Sequence, residues 1–173
     1  MTTILDGRKV ADHLNEETIV EVNKLKQLGV IPTLAILRAD KNPASIQYEK
    51  MASRFMEKLG FQIKYATFED GVSETEFLNT LDYLNTNRSI HGIIVMQPLP
   101  DNIRRTEVAK HISPTKDIDG MHALNLGKIM AQDQNVLYPS TVKAVMEIFR
   151  YYAVDVSGKT VVVIGKSNTV GKP

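Results

Sequence analysis

Thr33-Leu34-Ala35-Ile36-Leu37 is a short apolar run directly after Pro32, and such a run is typical of a buried strand. Gly92-Ile93-Ile94-Val95-Met96 is a second continuous apolar run, and the residues from Phe61 to Phe68 alternate as a third strand would. Continuous rather than alternating hydrophobicity favours a parallel sheet that is covered on both faces. The sequence therefore predicts an α/β fold with a mostly parallel sheet.

Helical segments separate and follow these strands. In one of them, Ser73 and Glu76 form a capping box ahead of Phe77, Leu81 and Leu84, which helical spacing places on an inward face. The predicted helices run over residues 8–28, 42–59, 73–86, 104–111 and 141–152, and the residues after 111 up to Gln134 are predicted as a loop-rich segment. This alternation of strands and helices predicts a three-layer domain.

The last part of the sequence combines a β-branched run with a glycine-containing turn. Thr160 to Ile164 is predicted as a strand, and Gly165-Lys166-Ser167-Asn168-Thr169-Val170-Gly171-Lys172-Pro173 follows it. A turn in this position is where α/β folds bind phosphate, although an ordinary strand-to-helix turn stays open because Ser167 replaces the second glycine of G-x-G-x-x-G. A dinucleotide site needs neighbouring strands. We therefore expect the chain to be truncated at the first strand of a Rossmann-type domain.

Composition and charge exclude several classes of protein. The chain is 43% hydrophobic and 24% charged with a net charge of +1, so nothing favours nucleic acid or an anionic membrane as a partner. It has no cysteine, which excludes a disulfide scaffold and a thiolate nucleophile, and its four histidines lack the spacing of metal ligands. The N-terminus reaches Asp6 before a signal-like apolar run develops, and no stretch approaches the roughly 20 apolar residues of a membrane span. We expect a cytoplasmic protein without a metal.

Four motifs follow one another along the chain: Asn42-Pro43-Ala44-Ser45 with Tyr48; Gly92-Ile93-Ile94-Val95 ahead of Pro98-Leu99-Pro100; Pro114-Thr115-Lys116-Asp117-Ile118-Asp119-Gly120; and Gly165-x-Ser167-x-x-Val170-Gly171-x-Pro173. Together they resemble the bifunctional methylenetetrahydrofolate dehydrogenase/methenyltetrahydrofolate cyclohydrolase family. The resemblance implies a folate-binding catalytic domain over residues 1–140, and a connecting helix and the start of an NAD(P)-binding Rossmann domain over residues 141–173. It also implies a folate substrate, NADP or NAD as cofactor, and a homodimer.

The resemblance assigns roles to individual residues. Tyr48 would stack on or hydrogen-bond the folate, and the Asp119 carboxylate would accept hydrogen bonds from the polar edge of its ring. The folate-binding residues predicted in this way are Tyr48, Ala52, Val95, Met96, Gln97, Pro100 and Asp119, and the cofactor-binding residues are Gly165, Lys166, Ser167 and Gly171.

Two departures from the family pattern affect the hydrolytic step. Ala52 stands where the family has a lysine, four residues after Tyr48, so the usual proton carrier is missing. Met96 stands where the family has a glutamine, and Gln97 comes one residue later, which on a strand turns a side chain to the opposite face unless a bulge restores it. Lys50 is about 200° around the helix from Tyr48. Tyr48, Gln97 and Lys50 remain the candidate catalytic residues.

Three hypotheses are compatible with these departures. The first is a folate-dependent dehydrogenase whose cyclohydrolase step is impaired or absent. The second is a catalytically inactive, degenerate paralog that binds folate or assists assembly. The third is an ordinary bifunctional enzyme in which an irregular backbone recruits Lys50 or Gln97. The choice between NAD and NADP stays open.

Overall fold

The computed structural model describes residues 4–68 and 71–173, so Met1–Thr3 of the N-terminal prediction lie outside it. At its centre is a parallel three-stranded sheet in the order β2-β1-β3, where β1 is Thr33–Arg38, β2 is Gln62–Thr67 and β3 is Gly92–Val95. Leu34 of β1 lies opposite Ile63 of β2 and Gly92 of β3. The predicted parallel sheet is confirmed.

Local capping explains where several helices begin. The Asp6 side chain accepts a hydrogen bond from the Arg8 amide, Asn42 does the same for Ala44, and Ser73 Oγ accepts from the Glu76 amide at 3.2 Å. The helices of the described residues are α1 Gly7–Gln27, α2 Pro43–Lys58, α3 Glu74–Thr86, α4 Arg105–His111, α5 Ala123–Met130 and α6 Ser140–Tyr151.

Helix α5 lies in the segment predicted as loop-rich, so that prediction was wrong. The helix has only eight residues, and its N-cap is His122, whose Nδ1 accepts a hydrogen bond from the Leu124 amide at 2.9 Å. Histidine is not among the residues that usually mark a helix start. A short helix with an unusual cap therefore left little signal in the sequence.

Both faces of the sheet are covered. On one face, alternate strand residues pack with α3 and α4; this cluster includes Ala35, Leu37, Ile93, Val95, Phe77, Leu81, Leu84 and Val108. On the other face, Leu34, Ile36 and Met96 pack with Met56 of α2 and with Ile118. Because successive strand residues point to opposite faces, both clusters grow from the same strands. The predicted three-layer arrangement is confirmed.

The segment from Thr160 to Ile164 does not form the predicted strand. Val162 is 81% exposed and Ile164 is 99% exposed, and no strand of the described chain lies beside them. β-branched residues stabilise a strand by packing on a sheet and cannot replace missing strand partners. The expected first strand of a Rossmann-type domain is therefore absent from residues 160–173, and no residue after Pro139 is buried.

None of the helices in the described ranges is both long enough and apolar enough to cross a membrane.

Candidate functional site

Two adjoining cavities lie beside α2 and the end of β3. The first, here the strand-end cavity, measures about 480 Å³ and is lined by Asn42, Ala44, Ser45, Tyr48, Ile94, Val95, Met96, Gln97, Pro98 and Asp119. The second, here the α2 cavity, measures about 600 Å³ and is lined by Leu34, Tyr48, Met51, Ala52, Arg54, Phe55, Met56, Lys58, Ile94 and Ile118. They share Tyr48 and Ile94. The carboxyl ends of parallel strands are where α/β folds bind ligands.

Helix α2 places Tyr48 on the wall between the two cavities. Asn42 caps the helix, and Pro43 occupies its first turn. Asn42 also lines the strand-end cavity, and the helix therefore begins at the wall of that cavity. Tyr48 is 61% exposed, whereas the next residue, Glu49, is buried. Ala52, one turn after Tyr48, lines the α2 cavity. Lys50 is exposed and lines neither cavity.

The exit of β3 brings both Met96 and Gln97 to the strand-end cavity. The Met96 amide donates to the Leu37 carbonyl at 2.8 Å, and its side chain is buried against Leu34 and Ile36. The strand ends at Val95, and the Gln97–Pro98 peptide bond is cis. Because Gln97 lies beyond the regular strand, the alternation of faces does not carry it away from the cavity. Its one-residue shift therefore leaves it on the same wall as Tyr48 and Met96.

The lysine of the third motif has a structural role. Lys116 Nζ donates hydrogen bonds at 3.0, 2.6 and 2.8 Å to the carbonyl oxygens of Leu84, Asn85 and Asn87. These carbonyls lie at the end of α3, where the helix itself leaves them without partners. Burial lowers the pKa of Lys116. The side chain thus ties the motif to α3.

Asp117, the first acid of the motif, is fully buried and holds the loop together. Its Oδ2 accepts from the His122 amide at 2.7 Å and from Asn125 Nδ2 at 3.3 Å. Residue 117 also forms a parallel bridge with Ile93 of β3. This pairing brings the following residues to the carboxyl edge of the sheet.

Asp119, the second acid, faces the strand-end cavity. It is partly exposed, and its Oδ1 accepts a hydrogen bond from Ser140 Oγ at 3.3 Å. Burial raises the pKa of Asp119, and the Ser140 hydrogen bond opposes this effect. The next residue, Gly120, has φ +65, and a Cβ there would lie 2.9 Å from the Pro139 nitrogen. Glycine at 120 therefore permits the close approach that brings Ser140 to Asp119.

The terminal loop lies on the other side of Asp119. A Cβ on Gly171 would collide with the Gly165 carbonyl, and the Lys172 amide donates to the Ser167 carbonyl at 3.0 Å, so the loop folds back on itself. Ser167 and Thr169 line a space of about 290 Å³ with Arg105. A further space of about 160 Å³ joins Gln97, Arg105, Asp119, Met121, Pro139, Ser140, Thr141 and Thr169.

Some of the predicted site residues lie away from these walls, and some wall residues had not been predicted. Pro100 is partly buried and accepts from the Ile103 amide at 2.9 Å, without lining either large cavity. Lys166 is exposed. Arg105, Ser140 and Thr169, which lie beside Asp119, were not predicted. In the sequence only Arg105 has a distinguishing signal, which is its position at a helix start.

The sequence matches known families over most of its length. The model of the tetrahydrofolate dehydrogenase/cyclohydrolase catalytic domain matches residues 5–119. The chain belongs to this family. The model of the family's NAD(P)-binding domain matches residues 139–173.

Curated relatives agree with the family assignment. The bifunctional protein FolD of Bacillus velezensis is 41% identical over 171 residues, which cover 99% of this chain and 60% of the relative. FolD of Clostridium botulinum is 39% identical over 173 residues, with 100% and 61% covered. The chain thus spans about 60% of the length of the curated relatives it matches.

Solved structures of the family share the fold. The bifunctional FolD enzyme of Campylobacter jejuni has a TM-score of 0.96 and 33% identity, with 98% of this chain and 60% of that one covered. The Trypanosoma brucei enzyme, solved with NADP and an inhibitor, has a TM-score of 0.90 and 29% identity, with 98% and 58% covered. The tetrahydrofolate dehydrogenase/cyclohydrolase fold therefore extends over nearly all of this chain.

Proposed function

We propose that this chain carries the folate site of a methylenetetrahydrofolate dehydrogenase whose cyclohydrolase step is impaired. The observation that carries the proposal is the strand-end cavity, where Tyr48, Gln97 and Asp119 line one space while Ala52 stands in the family's lysine position. The site keeps groups that can orient a folate, and it has Ala52 in place of the lysine that carries the proton in the family.

The two cavities suggest how a folate would lie. The Asp119 carboxylate can accept two N–H hydrogen bonds from the polar edge of the ring, which fixes orientation as well as affinity. Tyr48 stands between this polar end and the α2 cavity, so its ring would stack on the folate. The largely apolar wall of the α2 cavity, which includes Ala52 and Phe55, would then contact the apolar part of the molecule.

The dehydrogenase step makes modest demands on the protein. NADP or NAD, when bound, supplies the hydride acceptor, and the protein positions and orients the folate. The terminal loop fits a phosphate-bearing cofactor, because Ser167 and Thr169 offer hydroxyl groups beside the Arg105 guanidinium, and Gly171 allows the backbone to approach closely. Lys166, Gly165 and Gly171 stay predicted cofactor contacts.

The hydrolytic step requires a proton carrier. Water that attacks the methenyl carbon must lose a proton, and a lysine in a partly apolar cavity can take it because desolvation disfavours its ammonium form. The Ala52 methyl group cannot do so, and Lys50 lies outside both cavities. Lys58 lines the α2 cavity, but it is exposed and comes ten residues after Tyr48 instead of four. Gln97 can donate and accept hydrogen bonds to water, but an amide does not titrate in this range.

Binding and hydrolysis measured on the same chain test the proposal. We expect calorimetry to detect tetrahydrofolate binding and an assay without cofactor to show slow hydrolysis of methenyltetrahydrofolate. Ala52→Lys should raise the hydrolysis rate at least about a hundredfold, the lower range for a positioned acid–base group. Lys50→Ala is the matched control and should change nothing.

The alternatives predict different results. Rapid hydrolysis by the unmodified chain that Lys50→Ala abolishes would identify an ordinary bifunctional enzyme with Lys50 recruited, and the same loss in Gln97→Ala would identify Gln97. Folate binding without dehydrogenase activity in any full-length form would support a binding or assembly protein.

Three further expectations stay predictions. We place the domain boundary at residue 140, and the start of the second family match at residue 139 supports this choice. A homodimer and a cytoplasmic location follow only from the family resemblance and the composition. Sedimentation of the purified chain would test the first of these two.

A further inference from the structure

One buried arginine connects the end of β1 to α2. Arg38 is 8% exposed, and its Nε donates to Oε2 of Glu49 on α2 at 2.8 Å. Glu49 is 7% exposed. The same guanidinium donates through Nη1 to the backbone carbonyl of Asp40, in the loop between β1 and α2. A single side chain thus binds strand, loop and helix together.

The segment held in this way forms much of the strand-end cavity. Asp40 Oδ1 accepts from the Asn42 amide at 2.7 Å, and Asn42 Oδ1 accepts from the Ala44 amide at 2.9 Å. These bonds continue the connection from Arg38 into the first turn of α2. Four wall residues of the cavity come from this segment: Asn42, Ala44, Ser45 and Tyr48.

We propose that the Arg38–Glu49 ion pair is a positioning device, which fixes the rotation of α2 so that Tyr48 faces the bound folate. This inference rests on the proposed folate site. Adjacent residues of a helix are about 100° apart, so when Glu49 is fixed against the sheet, Tyr48 is fixed toward the cavities. Charge-assisted hydrogen bonds are directional, so they fix the rotation of the helix more narrowly than a non-directional apolar contact at residue 49 would.

An apolar replacement of both partners separates positioning from stability. Removing one partner would leave a buried unpaired charge and destabilise the fold, but a well-packed apolar pair is often neutral or stabilising. We therefore expect the double variant Arg38→Met/Glu49→Leu to unfold at a temperature close to that of the unmodified chain. Its affinity for tetrahydrofolate, measured by calorimetry, should fall roughly tenfold because the stacking residue is misplaced.

A second measurement shows whether the effect acts through Tyr48. In a Tyr48→Ala background, the double replacement should cause no further loss of affinity, since the group that it positions is already gone. An equal loss in both backgrounds would overturn the inference, and so would full affinity in the folded double variant. The single variant Arg38→Lys should lose less affinity for tetrahydrofolate than the double variant, because lysine keeps the charge of arginine but not its forked geometry.

The chain provides a matched control and a way to separate the two proposals. Arg104 and Glu74 form an ion pair at 2.6 Å with the Arg104 side chain 66% exposed, far along the chain from α2. Glu74→Gln should leave tetrahydrofolate affinity unchanged. If the unmodified chain binds no tetrahydrofolate, both proposals fail. If it binds and the double variant binds equally well, only the positioning role fails.

Discussion

Two apolar runs of nearly the same character adopt different structures in this molecule. Gly92–Val95 forms a buried strand in which Ile93 is 0% exposed, whereas Thr160 to Ile164 forms no strand and Ile164 is 99% exposed. The first run lies in the sheet region, here residues 4–68 and 71–139. The second lies in the terminal region, residues 140–173, which has no buried residue.

The difference lies in the neighbours of each run. β3 is hydrogen-bonded to β1 and bridged on its other side by Asp117, and α3 covers one of its faces. Residues 160–164 have no strand beside them in the described part of the chain. A hydrophobic, β-branched run thus favours burial, but it forms a strand only where neighbouring strands are available to pair with it.

The largest contrast is expected from deleting one isoleucine in each run. Ile93→Ala should lower the free energy of unfolding by about 2–5 kcal/mol, because it removes buried methyl groups and leaves a cavity. Ile164→Ala should change it by less than about 0.5 kcal/mol, as at exposed positions generally. Urea unfolding followed by circular dichroism would measure both. Equal losses would show that the second run is packed in solution.

Glycines with similar backbone angles provide the next contrast. Gly120 has φ +65, and a Cβ there would lie 2.9 Å from the Pro139 nitrogen and 3.0 Å from its Cα, whereas a Cβ on Gly158, which has φ +68, would have no atom within 4 Å. Gly158→Ala should cost only the left-handed backbone strain, about 1–2 kcal/mol. Gly120→Ala should cost about 1–3 kcal/mol more because of the added overlap. Thermal unfolding of the two variants measures the difference, and identical melting temperatures would contradict the close contact.

The two regions also differ in how much of them the sequence predicts. Local signals located the sheet strands, the Ser73 cap and the inward face of α3, because periodicity and capping are properties of neighbouring residues. They could not show that residues 160–164 lack partners, since pairing depends on distant residues. For the site, Tyr48 and Asp119 came from motifs, while Arg105, Ser140 and Thr169 converge only in three dimensions.

A substitution at Asp119 tests the contact between the two regions, because Asp119 of the sheet region accepts a hydrogen bond from Ser140 of the terminal region. Asp119→Asn should weaken tetrahydrofolate binding by about 1.5–3 kcal/mol, the usual contribution of hydrogen bonds to a charged group. The same substitution should leave the free energy of unfolding at neutral pH unchanged or raise it, for the following reason. Burial raises the pKa of Asp119 above its ordinary value of 3.8, so the folded state holds the proton more tightly than the unfolded state does. Stability therefore falls as pH rises from the unfolded-state pKa through the higher folded-state pKa.

At neutral pH this destabilisation by Asp119 is complete, and the asparagine variant should therefore unfold at the same or a higher temperature than the unmodified chain. Ser140→Ala is the control for the lost hydrogen bond, and it should show no such gain. Melting temperatures between pH 3 and 7 would measure both effects. A variant that binds weakly and is also less stable at neutral pH would indicate a structural rather than a binding role for Asp119.

The smallest contrast concerns two ion pairs with equal exposure. Arg104–Glu74 and Arg150–Glu147 both have side chains that are 66% and 20% exposed, but the first joins residues 30 apart and the second only three apart. Hydrogen bonds from the Arg104 side chain and backbone lower the pKa of Glu74 to about 2. Because the folded-state pKa lies below the ordinary value of 4.5, the stabilisation is fully present above that value and is lost as pH falls toward 2.

Glu74→Gln should therefore remove part of the acid-induced loss of stability between pH 4.5 and 2, measured as the melting temperature across that range, and it should lower the melting temperature at pH 7 more than Glu147→Gln does. The reason is that Glu74 also accepts a hydrogen bond from the Arg104 amide at 2.7 Å, at the start of α4, a helix whose N-cap side chain makes no capping bond. Glu147 pairs with Arg150 of its own helix, where exposed ion pairs contribute little. If Glu147→Gln lowered the melting temperature at pH 7 as much as Glu74→Gln, the pair within α6 would stabilise the fold as much as the pair between distant residues.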